Sequence, residues 1–191
     1  GSSGRHVLAE TMLNNRVFGR DGLNARTFLE LNLLEGLKFT TNVGYDITNS
    51  ATSQYENRIV GDAAGSGRIY KWQARSTTFT INELLEYTTT IADKHSISAL
   101  AGHENYYYTY QFIEAQKSSQ ILNGIEEFAN YVINDGTGSY IDSYRKESFF
   151  GRLSYDYDSK YYASLSYRKD GTSRFDPAMR WGDFWSVGGA W

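Results

Sequence analysis

The residues of this 191-residue chain that could do chemistry are few, and their spacing fails each template in turn. His103-Glu104 begins like the helical zinc-protease pattern, in which two histidines four positions apart hold the metal, but position 107 is Tyr. The chain has no Cys, which excludes a disulfide scaffold and any thiolate zinc site and leaves a metal only scattered carboxylates. Gly65-Ser66-Gly67-Arg68 starts like a phosphate-cradling loop. It lacks the Lys-Ser/Thr ending and the following helix, and reads as a flexible loop tip. No Ser stands in the glycine-flanked pattern of a nucleophile elbow. Asp156 and Asp158 share a strand face, and a carboxylate pair can hydrolyse a glycosidic bond. Both abut a tight turn, where Asp serves the turn itself. Asp170, Asp176 and Asp183 match no calcium-loop spacing. The sequence thus offers no catalytic residue, metal site or cofactor motif, and the expectation is a protein that is not an enzyme.

Composition narrows the class. A net charge of −3 gives no basic surplus for nucleic acid. Sixteen Tyr, 18 Gly and a single Pro, with aromatics at 16%, favour pleated strands over packed helices. No apolar run approaches the roughly 18 residues of a membrane helix. A membrane β-barrel escapes that test, because its strands alternate and average as hydrophilic.

Alternation dominates the chain. Thr27, Leu29, Leu31 and Leu33 oppose Arg26, Phe28, Glu30 and Asn32. After Glu35-Gly36 the pattern resumes, with Leu37, Phe39, Thr41, Val43, Tyr45 and Ile47 against Lys38, Thr40, Asn42, Gly44, Asp46 and Thr48. That predicts a hairpin. A third strand sets Phe79, Ile81, Leu85 and Tyr87 against Thr78, Thr80, Asn82 and Glu86, with Glu83 an exception on the apolar side. A fourth follows Ala92-Asp93-Lys94, a fifth and sixth span 149–157 and 161–168, and a seventh begins near Phe184. Three short turns alternate with three long excursions, about 50–72, 111–146 and 170–183. Short turns at one end and long loops at the other are the habit of outer-membrane barrels, the short turns being periplasmic. A β-sandwich alternates too, so periodicity alone leaves that fold open.

Two local readings accompany this pattern. Tyr106, Tyr107, Tyr108 and Tyr110, and Tyr155, Tyr157, Tyr161 and Tyr162, gather near strand ends and suggest the aromatic girdles of a membrane surface. Ile121, Ile125, Phe128 and Val132 follow helical spacing and predict a short helix within the second long loop. Val7, Leu8, Thr11 and Met12 leave the start of the chain undecided.

The last third holds a specific pattern: Ser148-Phe149-Phe150-Gly151-Arg152-Leu153-Ser154-Tyr155-Asp156-Tyr157, then Lys160-Tyr161-Tyr162, Asp170-Gly171-Thr172-Ser173-Arg174-Phe175, Arg180-Trp181-Gly182 and Trp185-Ser186-Val187-Gly188-Gly189-Ala190-Trp191. In that order it resembles the barrel of SusC/RagA-like TonB-dependent outer-membrane transporters. The segment 36–46 and Lys94-His95 leading into 99–104 resemble the same family, so the likeness covers essentially the whole chain. Thr172, where Ser is usual, and Asp176-Pro177 are its departures. Gly1-Ser2-Ser3-Gly4 reads equally as natural sequence or as a cloning scar.

The resemblance implies an all-β fold, about seven strands of a larger 22-stranded barrel with an occupied lumen. It implies that 1–191 is part of the barrel domain, with the plug and the TonB-engaging segment outside the chain. It also implies a Bacteroidetes-like, Gram-negative outer membrane and import of oligosaccharides or peptides. Expected partners are a SusD-like surface lipoprotein, the TonB complex and membrane lipid, with no nucleic acid and no cofactor. The residue pattern agrees on a polar inward face, for which Lys38, Asn42, Asp46, Asn82, Glu86, Arg152, Asp156 and Arg168 are the candidates. The loop motif Asp170, Gly171, Arg174, Phe175, Arg180 and Trp181 is the candidate rim. Its two Arg and two aromatics are expected to lock together by cation–π contact and by bonds to Asp170 or Asp183. The competing reading is a soluble carbohydrate-binding β-sandwich, and the weakest a secreted glycosidase domain.

Overall fold

The computed structural model describes residues 6–191, and Gly1-Ser2-Ser3-Gly4 lies outside them. A short helix, α1 (Val7–Leu13), precedes seven strands: β1 (Asn15–Leu34), β2 (Leu37–Glu56), β3 (Arg68–Ile91), β4 (His95–Gln120), β5 (Tyr131–Tyr157), β6 (Tyr161–Thr172) and β7 (Trp181–Ala190). They hydrogen-bond in chain order in a single sheet, β1-β2-β3-β4-β5-β6-β7. A sandwich needs two sheets face to face; the described strands make one. The fold is that of a stretch of antiparallel barrel wall.

The strands run further than alternation alone marks them. β1 begins at Asn15 rather than Arg26, and β2 continues to Glu56. β3 starts at Arg68, β4 reaches Gln120, and β5 starts at Tyr131 instead of Phe149. The long excursions shrink accordingly to 57–67, 121–130 and 173–180. Polar stretches such as Asn49-Ser50-Ala51-Thr52-Ser53-Gln54 look like loop because both faces are hydrophilic. The ladder continues through them because backbone amides bond whatever the side chains are.

The tight turns explain themselves. Ala92 and Asp93 have φ of 52° and 54°, and Asp158 and Ser159 have 54° and 53°, as the two central positions of a type I′ turn require, here within three-residue connections. Lys94 N bonds Ile91 O at 3.2 Å and Lys160 N bonds Tyr157 O at 3.0 Å, closing both. Asp156 Oδ1 accepts from Ser159 N at 2.8 Å, so this carboxylate serves the turn. Gly36 closes the first hairpin with φ of 76°. Its carbonyl accepts from Thr88 N at 2.8 Å, and a Cβ there would collide with the Thr88 carbonyl oxygen.

Contacts divide the described chain into two compact units. One holds the chain up to Leu23 with Ile47–Ser76 and Tyr110–Asp142. Its small core is Tyr55, Ile69 and Tyr131, with Phe128 packed on it. The predicted helix at 121–132 does not form. Gly124 takes φ of 80°, a 3-10 turn spans Phe128–Asn130, and Val132 belongs to β5. Ile121, Ile125 and Val132 remain exposed, so the helical stripe would have had nothing to bury. Asn130 organises the segment instead. Its buried side chain donates to the Leu122 and Ile125 carbonyls at 2.7 and 3.0 Å and accepts from Leu122 N at 3.0 Å. The segment 65–67 is not a loose tip either. Ser66 O accepts from Gln120 N at 2.7 Å, and Ser66 Oγ accepts from Ser119 N at 3.0 Å. The second unit, Asn24–Asp46, Thr77–Thr109 and Ser143–Trp191, contains the three short turns.

Gly36 and Gly65 make a controlled pair. Both have positive φ, but a Cβ on Gly65 meets nothing within 4 Å. In the intact protein that contains this chain, Gly65→Ala should cost about 1–2 kcal/mol, the strain of a positive φ alone, and Gly36→Ala clearly more, because the clash with the Thr88 carbonyl adds to the same strain. Folding titrations of the two variants check the difference, and equal costs would contradict the clash at Thr88.

Candidate functional site

In the unit with the short turns, register fixes which side chains share a face. Leu153 pairs with Leu165 and Leu165 with Val187; Arg152 pairs with Ser166 and Ser166 with Ser186. Odd-numbered residues of β5, β6 and β7 therefore lie on one face and even-numbered residues on the other. The odd columns read Tyr157, Tyr155, Leu153, Gly151, Phe149; then Tyr161, Ala163, Leu165, Tyr167; then Gly189, Val187, Trp185. Leu153, Leu165 and Val187 are 47%, 49% and 70% exposed, an apolar surface without cover in this sheet. Each column then ends on a charge: Glu147, Lys169 and Asp183.

Glu83, the exception within an apolar pattern, belongs to that row of charges. His103 Nδ1 lies 3.0 Å from Glu83 and its Nε2 lies 3.0 Å from Glu147. The His103 ring stacks on Phe149 at 4.7 Å, and Lys169 approaches Asp183 at 3.8 Å. The apolar column of β4, Ile97, Ala99 and Ala101, stops at the same place at His103, and that of β3 is interrupted there by Glu83 between Leu85 and Ile81.

The even face is polar and ion-paired. Arg26 grips Asp46 through two bonds of 2.8 and 2.7 Å. Lys38 sits 3.0 Å from Glu86 and 3.8 Å from Glu30. Asn82 donates to Glu104 at 3.4 Å. Arg168 donates to Asp170 at 2.7 and 2.9 Å and to the buried Ser148 Oγ at 3.1 Å. Its guanidinium lies 5.3 Å over the Phe150 ring. Phe150 in turn covers Gly102, where a Cβ would collide with the ring. Arg152, Ser154 and Asp156 line a groove of about 1160 Å³ with Thr88, Thr90 and Ser98. Of the eight candidate inward residues, Asp46, Lys38, Glu86, Asn82 and Arg168 are thus joined in polar pairs, and Arg152 and Asp156 share the groove. Asn42 sits on β2 between them in sequence.

The rim motif is held together, though not by the expected partners. Gly171 lies opposite Trp181, and a Cβ on Gly171 would stand 2.8 Å from the indole. Trp181 leans towards Phe149 at 6.3 Å, with Lys169 Nζ 5.8 Å over its ring. Asp170 holds Arg168, and Asp183 accepts from the Tyr167 hydroxyl. Among the described residues neither is bonded to the expected Arg180. Arg180 Nε donates to the Phe175 carbonyl at 3.0 Å, while the Phe175 ring is 61% exposed. Arg174 lies 4.1 Å over the ring of Tyr144 on β5. Ser173 N donates to Arg145 O at 2.9 Å, and Arg145 N donates to Ser173 Oγ at 2.8 Å. The loop is thereby tied to β5 as well as closed upon itself.

Sequence reading also misplaced part of the first tyrosine cluster. Tyr106 and Tyr108 have the parity of Asn82 and Glu104, the polar face, and their rings meet Tyr144 at 5.8 and 5.3 Å. In the other unit Tyr110 and Phe112 meet Tyr140 at 6.0 and 4.7 Å. Only Tyr107 has the other parity, under the Arg145 guanidinium at 4.8 Å. The signal was available: the turn 92–94 fixes parity along β4 as far as the strand runs. Of the cluster near the 158–160 turn, Tyr155, Tyr157 and Tyr161 share the odd face, with Tyr157 stacked on Tyr161 and Tyr155 bonded to His95 at 2.7 Å, while Tyr162, opposite Asp156, takes the even face.

No family model matches the chain. TonB-dependent receptor P39 of Formosa agariphila is 29% identical over 192 residues, 96% of this chain and 18% of that protein. TonB-dependent receptor P3 of the same organism is 27% identical, over 90% of this chain and 17% of that protein. Among solved structures, a RagAB peptide transporter superposes with a TM-score of 0.88 at 26% identity, covering 94% of this chain and 20% of that one. The RagAB peptide importer in an open-open state gives 0.87. The chain spans about a fifth of the length of these relatives.

The pairing of Arg174 with Tyr144 rather than Trp181 can be measured. In the intact protein, a double-mutant cycle on Arg174→Ala and Tyr144→Ala should give about 0.5–1 kcal/mol of coupling. The cycle on Arg174→Ala and Trp181→Ala should give close to none. The reverse order would restore the self-clasped loop.

Proposed function

We propose that this chain, a stretch of barrel wall from a SusC/RagA-like TonB-dependent receptor, helps to carry nutrients across an outer membrane. The odd face meets lipid and the even face lines the solute path. The observation that carries this reading is the row of charges at Glu83, His103, Glu147, Lys169 and Asp183, where the apolar columns of β4, β5 and β6 end and those of β3 and β7 are interrupted before Ile81 and Trp181. On β5 the apolar column runs from Tyr157 to Phe149. Nine residues at about 3.3 Å each, tilted by about 40°, rise roughly 23 Å. The lipid-facing band of an outer-membrane barrel is about 25 Å tall. His103, carboxylates and Lys169 at that height meet the polar boundary, where charges and aromatic rings are tolerated.

The opposite face suits a polar solute. Its ion pairs are open to solvent, so Arg26–Asp46 and Lys38–Glu86 present fixed dipoles along a polar surface rather than a sealed core. The solute class belongs to this reading as oligosaccharide or peptide. The similarity to a peptide transporter supports the peptide arm. The SusD-like surface lipoprotein and the energy-giving TonB complex enter through the same kinship, the latter engaging parts of the receptor outside this chain. The short turns at 35–36, 92–94 and 158–160 are then periplasmic and the connections 57–67, 121–130 and 173–180 extracellular.

Sidedness is the test. In the intact receptor, Leu165→Arg should destabilise by roughly 2–4 kcal/mol if it lies near the midplane, and Ser166→Arg, its neighbour in sequence, by much less. Single Cys at Leu31, Val43, Ile81 or Leu165 should resist aqueous thiol reagents, while Cys at Asn42, Asn82 or Ser166 should react from the lumen. Equal costs and equal labelling would remove both the membrane and the path.

A further inference from the structure

The even face of the short-turn unit holds a cluster that the ion-paired path leaves without a role. Tyr106 and Tyr108 on β4 and Tyr144 on β5 pack ring against ring at 5.8 and 5.3 Å. Lys146 Nζ stands 5.6 Å from the centroids of both Tyr106 and Tyr144. Arg174, brought over by the 173–180 loop, lies 4.1 Å from Tyr144. Elsewhere on this face Arg26, Lys38 and Arg168 each hold a carboxylate. Lys146 is exposed and has no ion pair among the described residues; only ring faces steady it.

Two physical facts give this arrangement a use. Cations over electron-rich rings are held in place without being neutralised, because the ring offers a quadrupole and not a charge. The rings themselves make a rigid, partly apolar floor with hydroxyl edges, which loses little entropy on contact. A lysine held this way keeps its field for a visitor. We infer that Tyr106, Tyr108, Tyr144 and Lys146 form a contact point for acidic solutes, and this rests on the reading of the even face as the solute path. The tyrosine floor receives the body of the solute, a sugar ring or a peptide segment. Lys146 Nζ donates to its carboxylate or sulfate. Arg174 clamps the floor by fixing Tyr144, and acts through that ring as a positioning residue.

The experiment uses the intact receptor in detergent. Its probes are an oligogalacturonate and its carboxyl-reduced form, and a glutamate-containing peptide and its glutamine counterpart. At low salt the parent receptor should bind one acidic probe more tightly than the matched neutral one. Lys146→Gln should weaken that binding roughly tenfold and leave the neutral probe unchanged, and Lys146→Arg should restore it. Tyr108→Leu should weaken acidic and neutral forms together, as loss of a floor would. Which acidic probe responds separates sugar acid from peptide acid. A parent receptor that prefers neither acidic probe, or a Lys146→Gln variant with undiminished preference, overturns the inference. Labelling of Lys146→Cys separates the two levels of the argument. Shielding like that of Leu165→Cys removes the path reading and the contact point together. Ready reaction with aqueous reagent, without any effect of charge on binding, removes the contact point alone.

Discussion

A backbone amide cannot be left unpaired in hydrocarbon, and each unsatisfied group there costs several kcal/mol. The inter-strand ladder is the answer to that constraint, and the other features of this chain depend on it. Because the ladder takes the backbone groups between neighbouring strands, side chains there are left with a period of two and nothing else to decide but which face they show. The pairing of Leu153, Leu165 and Val187 across β5, β6 and β7 is the direct outcome. A slip of one residue would turn Arg152 and Arg168 to the apolar face, so the tight turns at 92–93 and 158–159 bear on the membrane assignment as much as on the fold.

The specific residues of the last third have a common physical theme, which is that glycines in the sheet are roofed by aromatic rings. Phe150 covers Gly102 on the even face, and Trp181 covers Gly171 on the odd face. A glycine in a strand loses backbone entropy and packs nothing. A ring laid across it from the next strand recovers the lost contact and fixes register, since the ring reaches only one neighbour. Asp170 between them orients Arg168 over Phe150. The Asp-Gly and Trp-Gly pairs of the rim motif are therefore wall construction. Arg174, which reaches across to Tyr144, is the member that leaves the wall.

What was legible in the sequence follows from where the two faces differ. Near the short turns one face is apolar and the other polar, so strand existence, hairpin positions and facing all show in the alternation of 26–48 and 149–168. Beyond them both faces meet water, alternation fades, and the extensions of β2 through Ser53 and of β4 through Ser118 look like loop. That Lys38, Asp46, Glu86 and Arg168 share the polar face was readable because parity is local information. Their partners were not, because Asp170 and Ser148 around Arg168 depend on register between strands. The false helix at 121–132 arose from a true periodicity with nothing to pack against. The partner of Arg174 was invisible for a related reason: Tyr144 lies in a stretch whose strand character itself was hidden.

Length then acquires a meaning. A tilted strand crosses the hydrocarbon in about 9–11 residues, yet β3, β4 and β5 have 24, 26 and 27. Residues in excess of the crossing cannot draw stability from lipid, so they need a source of their own. The unit that holds the long connections supplies one in Tyr55, Ile69 and Tyr131 and in the bonds from Ser66 and Asn130 that bind 57–67 and 121–130 to strand ends. Burial of those three side chains is worth a few kcal/mol at about 25 cal/mol per Å², the scale needed to keep a water-exposed ladder from fraying. The connections are thereby part of the wall's fabric and not slack between strands.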